Sequence, residues 1–311
     1  MTIEKDILIG RVRRNDWARV AYGIYRRASA DEHRATLLAY QEVLPPSAVV
    51  THLTAAAWYG LWLPPLPDQM PVVVSQAKQD TRVKRPEILT LRHTKGIRWT
   101  YDDGLRVATA DELLLACARH LCMLDLVVLG DSALQAGLVT TDELWRAATR
   151  RRWGASRLQR AIRWMDGHAE SPWESLLRVL HRACGFEVET QHEVRDSAGA
   201  FVARGDLWLR GARVLHEYDG AGHRERETQV RDLDRDRRLL NTGWTRRAYT
   251  AREVALCPQE IVADACLSLG RGYRADLLDT WLEMWGESLY APGGTDRLLA
   301  RLTGRRPDCG R

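Results

Sequence analysis

The stretch Asp206-Leu-Trp-Leu-Arg-Gly-Ala-Arg-Val-Leu-His-Glu217-Tyr-Asp219-Gly-Ala-Gly-His223 reads as a β-hairpin followed by a turn. Asp206 is expected to open the first strand, and Arg210-Gly211-Ala212 to reverse the chain. Arg213 to Asp219 then forms the second strand. Side chains alternate along a strand, so Glu217 and Asp219 share one face while Val214, His216 and Tyr218 take the other. Asp206, near the far end of the partner strand, can join the Glu217 face. Carboxylates at adjoining positions repel one another, and a divalent cation between them relieves the repulsion.

Working outward, Ser171-Pro172 caps and starts a helix through Trp173-Glu174 to Cys184, which Gly185 ends. Phe186 to Val194 is a strand on which Gln191 shares its facing with Glu187, Glu189 and Glu193. A charged helix follows the hairpin from Glu225 to Asn241, then a strand from Trp244 to Thr250 and a mostly helical segment to Leu269. The order helix–strand–strand–strand–helix–strand–helix implies a mixed sheet flanked by helices.

Ahead of this unit, Asp16 to Arg27 is β-rich with a glycine turn, and Glu32 to Leu44 is an amphipathic helix stopped by Pro45-Pro46. Thr51 is the expected cap of a helix closed by Gly60. Strands follow at 71–74 and 88–93, joined by the basic loop 78–85, and then helices from Thr109 to Met165. Arg150-Arg151-Arg152 is a basic run between two of those helices. Past Arg271 a helical extension leads into a Gly/Pro/Arg-rich tail, expected to fray.

The 311 residues suffice for two or three cores, and 45% hydrophobic with 28% charged residues is an ordinary globular balance. A formal charge of +5 is compatible with nucleic acid without requiring it. Arginine supplies nearly all of it, with lysine only at Lys5, Lys78, Lys84 and Lys95. The six cysteines show no C-x-x-C pair and no zinc spacing. With no apolar signal core and no apolar run near ~18 residues, a cytoplasmic protein is expected.

Glu170-Ser-Pro-Trp-Glu174-Ser, Gln191, Asp206, Glu217-Tyr-Asp-Gly220 with His223, Asp232-x-x-Arg235 and Gly243-Trp244 occur in that order. The series resembles the PD-(D/E)xK nuclease core. More narrowly it is similar to the very-short-patch-repair-like (Vsr-like) endonuclease family, found as a domain of unknown function in many actinobacterial proteins. The first half, through Thr51-His-Leu-Thr-Ala-Ala-Ala, Gly104-Leu-Arg-Val and Leu126-Val-Val-Leu-Gly-Asp131, resembles the AbiEi-type antitoxin-like winged-helix region. The resemblance implies DNA binding by the first half and a nuclease-like fold in the second, with a toxin partner or a regulated operon as further partners. One departure stands out: Asp219 occupies the slot where the E-x-K pattern has lysine. Vsr-like relatives also lack that lysine and lean on histidine.

The chemistry follows from the residue types. Phosphodiester hydrolysis needs an activated water and charge relief at phosphorus, and Mg²⁺ held by hard carboxylate oxygens supplies both. Asp206 and Glu217, with Asp219, are the expected metal ligands, and Glu174 is a further ligand or an outer acceptor. His223 is the expected general acid or base, and Gln191, Asp232 and Arg235 are supporting residues. Each has a plainer reading. Glu174 also fits as first-turn helix charge, Gln191 as an edge-strand surface residue and His223 as a loop histidine. Asp232 and Arg235 also fit as an i,i+3 salt bridge.

The expected fold class is α/β (α+β), with a restriction-endonuclease-like mixed sheet flanked by helices after a winged-helix-containing region. Residues 1–70 are expected to form a winged-helix-like DNA-binding region and 71–165 an antitoxin-like α/β and helical region. Residues 166–271 form the nuclease-fold domain, and 272–311 a helical extension and flexible tail. The expected function is Mg²⁺-dependent cleavage or nicking of DNA. Its competitor is a non-enzymatic transcriptional regulator or antitoxin on an inactive nuclease fold.

Overall fold

A computed structural model describes residues 7–10, 17–27, 31–94, 96–220 and 226–304, with only the backbone of 226–232. His223 therefore lies outside the described residues, and so does the side chain of Asp232. The chain is mixed α/β, with three sheets among the described residues.

The amino-terminal sheet is antiparallel, in the order β1-β3-β2: β1 (Ile7–Ile9), β2 (Trp17–Ala21) and β3 (Ile24–Arg27). The β2–β3 turn passes through Gly23 at φ +73°, the glycine turn expected there. Helix α1 (Glu32–Gln41) starts at Asp31, whose carboxylate accepts the Arg34 N–H. Next come β4 (Val49–Val50) and α2 (His52–Trp58). Strands β5 (Val72–Ala77), β6 (Ile88–His93), β7 (Trp99–Asp102) and β8 (Leu105–Ala108) join β4 in a mixed sheet ordered β6-β5-β4-β8-β7. Helix α2 packs on β5 and α1 on β8, and four helices follow the sheet and pack on one another: α3 (Ala110–Cys117), α4 (Met123–Gln135), α5 (Thr141–Ala148) and α6 (Ala155–Ile162).

The second half runs in the expected order. Helix α7 (Pro172–Ala183) has proline in its first turn, and the Ser171 hydroxyl accepts the Glu174 N–H at 3.2 Å. It buries Leu176, Leu177, Val179 and Leu180 and ends at Gly185, φ +80°. Strands β9 (Val188–Arg195), β10 (Phe201–Leu209) and β11 (Val214–Tyr218) run antiparallel. Gly211, φ +95°, turns β10 into β11. Helix α8 (Arg226–Asn241) then carries the chain to β12 (Thr245–Tyr249), which lies parallel to β11. A parallel neighbour demands such a crossover. Helices α9 (Ala251–Leu256) and α10 (Pro258–Ser268) complete the unit. β10 begins five residues before Asp206, so Asp206 sits inside the strand rather than opening it.

One hydrophobic cluster extends from Ala21 to Leu302 and covers the α7 face of the second sheet through Leu207, Leu209 and Tyr249. A smaller cluster of Val194, Val202, Ala203, Leu215 and Leu239 lies under α8 on the opposite face. The segment expected as a helical extension is helical and packs into the large cluster. Helices α11 (Asp279–Glu287) and α12 (Gly294–Thr303) bury Trp281, Leu298 and Leu302. Asp125 of α4, fully buried, accepts the Ser288 hydroxyl at 2.6 Å and the Leu289 N–H at 3.0 Å. Residues 305–311, the rest of the expected tail, lie outside the described residues. No helix among the described residues is long and apolar enough to cross a membrane.

Candidate active site

The second sheet opens at Asp206. The last ladder pairs of β10 with β11 are Trp208 with Leu215 and Leu207 with His216. One residue further along, the Asp206 carboxylate itself accepts the Tyr218 backbone N–H, at 2.8 Å. A side chain thus occupies the position where the strands part, and the register places Asp206 and Glu217 next in line. On the other side, Gln191 falls between the pairs Gly205 with His192 and Leu207 with Thr190. Its φ of +51° is left-handed, which is uncommon for a residue with a side chain. That turn breaks the alternation expected for β9 and sends the amide of Gln191 to the Glu174 carboxylate, 3.3 Å away.

Glu174 comes to the same place from the first turn of α7. Its Oε2 accepts the Glu170 N–H at 2.7 Å as well as the Gln191 amide. Burial, reinforced by the charge of Glu170, raises its carboxyl above the usual range. Asp206 responds more strongly and is pushed up to about 7. Burial is the largest cause, followed by the charges of Glu174 and Glu217; the Tyr218 N–H and Arg235 oppose it. The Tyr218 phenol is raised by burial and by the charges of Asp219 and Glu174. Its ring stacks on Trp173 at 6.1 Å, and Tyr290, from the carboxy-terminal segment, meets Trp173 edge-on at 5.6 Å. Aromatic side chains from three parts of the chain thereby shield one side of the acidic pair.

Glu217 is buried and held by two arginines. Arg235 of α8 grips both its oxygens, with Nη1 3.1 Å from Oε2, and Arg246 of β12 reaches Oε2 at 3.2 Å. Arg246 in turn holds Asp236 at 2.9 Å. Arg235, expected as a supporting residue or the partner of Asp232, thus acts on Glu217 across the sheet. Asp219 lies just past the end of β11, where its N–H donates to the Tyr249 carbonyl at 2.8 Å. The structure therefore brings together Glu174, Gln191 and Asp206, with Glu217 beside them but engaged by guanidinium groups. Among the described residues, no group of three His, Cys, Asp or Glu side chains is arranged to hold a metal ion.

Hard carboxylate oxygens on Asp206 and Glu174 fit a divalent cation in donor chemistry, and the upward shift of Asp206 is the deficit that a cation relieves. Glu217 fits less well, since its oxygens already accept from Arg235 and Arg246. Sequence reading missed Arg246, Tyr218, Trp173 and Tyr290. For Arg246 a signal existed: with β12 parallel to β11 it pairs with Leu215, two residues from Glu217 on the same face. No protein-family model, curated protein or solved structure matches the chain.

Proposed function

We propose that the second half is a restriction-endonuclease-like domain that nicks DNA phosphodiester bonds with Mg²⁺, the first half being its DNA-binding region. The observation that carries this reading is Asp206 raised to about 7 beside half-buried Glu174. Two acids held together with reduced access to solvent lower stability unless a cation or a proton is shared. Asp206 and Glu174 are the residues that would hold Mg²⁺, which when bound supplies charge relief at phosphorus and an activated water. The chain's own groups set this up. The Tyr218 N–H fixes one oxygen of Asp206, and the Gln191 amide fixes one oxygen of Glu174. Trp173 and Tyr218 exclude water from one side. The two arginines neutralise Glu217, so that it orients the sheet end without adding a third full charge.

The test is nicking of supercoiled plasmid with Mg²⁺ by the wild-type protein and by Asp206→Asn and Glu174→Gln, which preserve shape. Loss of nicking in both variants is the expected result; equal nicking by all three proteins sinks the proposal. The arginine clamp on Glu217 favours a second reading, a DNA-binding regulator or antitoxin in which the acidic site is inactive. That protein binds promoter DNA equally well with and without the Asp206 carboxylate and nicks nothing.

A further inference from the structure

A second basic feature lies in the first half, away from Asp206. A cavity of about 450 Å³ opens where β5 and β6 end against the carboxy terminus of α3. Lys78 follows β5, and Arg92 and His93 end β6. Arg119 follows α3, while Arg151, Arg152 and Trp153 come from the turn between α5 and α6. Gly154 makes this convergence possible. Its φ is +92°, and a Cβ there would stand 2.7 Å from the Leu115 carbonyl oxygen, so the turn lies directly on the end of α3.

The charges at this cavity do not cancel. Asp111 and Glu112, in the first turn of α3, are both buried and take Arg98, Arg150 and Arg152. Lys78, Arg92, Arg119 and Arg151 have no carboxylate partner among the described residues. The Nε–H groups of Arg92 and Arg119 are buried without any hydrogen-bond acceptor. A buried unmet donor is costly, and these two belong to guanidinium groups that line the cavity. Arg92 spends its Nη2 on the Ala77, Lys78 and Asp80 carbonyls, which leaves Arg119, Arg151 and Lys78 as the cations open to an anion. His93 shows the same field: burial and the charges of Arg152 and Arg119 hold its imidazole down at about 4. Just past the end of α3, Arg157 donates to the Ala118 and Leu121 carbonyls at 3.3 and 2.9 Å.

Trp153 supplies the other half of a recognition surface. Its side chain is 83% exposed, and the Arg119 guanidinium lies 5.8 Å from its ring centroid. An indole left in solvent at the mouth of a cationic cavity offers a stacking platform beside phosphate donors. The volume is within the range of small-ligand sites. We propose that this cavity binds a nucleotide unit, with phosphate on Arg119, Arg151 and Lys78 and the base stacked on Trp153. The unit comes either from a single-stranded nucleic acid or from a free nucleotide. This site is independent of Asp206 and adds to the nuclease reading a defined place where a strand is gripped.

The experiment measures binding in EDTA, so that cleavage plays no part. The probes are a fluorescein-labelled ten-residue oligothymidylate, the same backbone without bases, and thymidine 5′-monophosphate. Wild-type protein is expected to bind the oligothymidylate with an affinity that falls as salt rises. Arg119→Glu/Arg151→Glu is expected to weaken it more than tenfold, and Arg119→Lys/Arg151→Lys to restore most of it. Arg151→Glu alone, at an exposed residue without a partner, gives a weaker loss in a protein whose thermal unfolding is unchanged. Trp153→Ala is expected to cost about tenfold for the oligothymidylate and little for the baseless strand. Tighter binding of the oligomer than of the mononucleotide identifies a strand as the source, and the reverse identifies the free nucleotide. Wild-type affinity in the charge-reversed variant, equal Trp153→Ala losses on both strands, or no binding of any probe overturns the proposal. Asp206→Asn is expected to bind as wild type does, so failure of the nuclease reading leaves this result intact.

Discussion

Asp131 of α4 and Arg178 of α7 form an ion pair in the core, each almost wholly removed from solvent. The pair joins the first half of the chain to the helix that carries Glu174. Asp131 also accepts the Ser175 hydroxyl at 2.6 Å and the Asp166 N–H at 2.9 Å, and the Arg178 Nε lies 3.1 Å from the Asp166 carboxylate. Burial pushes the Asp131 carboxyl up, and the Arg178 charge opposes that shift.

Removing one partner leaves the other charged and buried. Asp131→Ala is therefore expected to lower the unfolding free energy by about 3–5 kcal/mol, read from urea denaturation. Replacing both, as Asp131→Leu/Arg178→Met, is expected to cost clearly less than the two single changes added together, because no uncompensated charge remains. Additive costs would show that the two residues act separately.

The buried histidines set the acid limb of stability. His120 Nδ1 lies 3.2 Å from His52 Nε2, and His181 Nε2 lies 2.8 Å from His216 Nδ1. Burial holds His120 and His181 down at about 4, and it also lowers His52 and His216 well below the ordinary imidazole value. Below the unfolded value of about 6.5 the unfolded chain binds protons that the folded chain does not, so stability falls as pH drops from 6.5 toward 4. Asp206 acts in the opposite sense, since its raised carboxyl binds a proton in the folded state between about 4 and 7. His93, also held at about 4, acts with the other histidines, and the raised Glu174, Asp131 and Asp125 carboxyls act with Asp206; the five histidines outnumber the four carboxyls. The unfolding free energy from urea denaturation in EDTA is expected to fall between pH 6.5 and 4.5, with roughly 1–2 kcal/mol contributed by each of His120 and His181. A flat profile would contradict neutral burial of these rings.

The hairpin, the Ser171-Pro172 helix start and the β11–α8–β12 crossover were legible because each depends on local signals: a turn glycine, a cap, a change of hydrophobic period. The two-residue β4 left no such signal, and it sits at the centre of the larger mixed sheet. The candidate site was half legible. Asp206, Glu217 and Glu174 stood out by residue type and order. The left-handed turn at Gln191 and the arginines on Glu217 did not, because the partners lie 17, 18 and 29 residues away. The docking of α11 and α12 was hidden for the same reason: Ser288 meets Asp125 across 163 residues.

Gly205, the neighbour of Asp206, has no room for a side chain. A Cβ there would stand 2.7–2.9 Å from Cδ1, Cδ2 and Cγ of Leu215, which is fully buried. Gly205→Ala is expected to destabilise the protein by about 1–3 kcal/mol and to reduce nicking through displacement of Asp206. Gly130→Ala meets the thioether end of Met165, at 2.3 Å from its terminal methyl carbon. That end can swing to another rotamer, so a smaller cost is expected despite the shorter approach. Thermal unfolding of the two variants side by side checks the order.

Gln191 separates stability from function in one residue. Its φ of +51° costs a non-glycine residue about 1–2 kcal/mol, whereas glycine adopts it freely. Glycine also has more conformational freedom to lose on folding, about 0.5–1 kcal/mol. With the lost hydrogen bond to Glu174 set against the relief of strain, Gln191→Gly is expected to keep stability within about 1 kcal/mol of wild type. The same change deletes the amide that holds Glu174, a hydrogen bond worth about 1 kcal/mol, so plasmid nicking is expected to fall about fivefold. Strain at a residue that stability alone would replace is evidence that the residue serves the site. A Gln191→Gly protein that is less stable yet nicks at the wild-type rate would place Gln191 among the structural residues of β9 and remove it from the site.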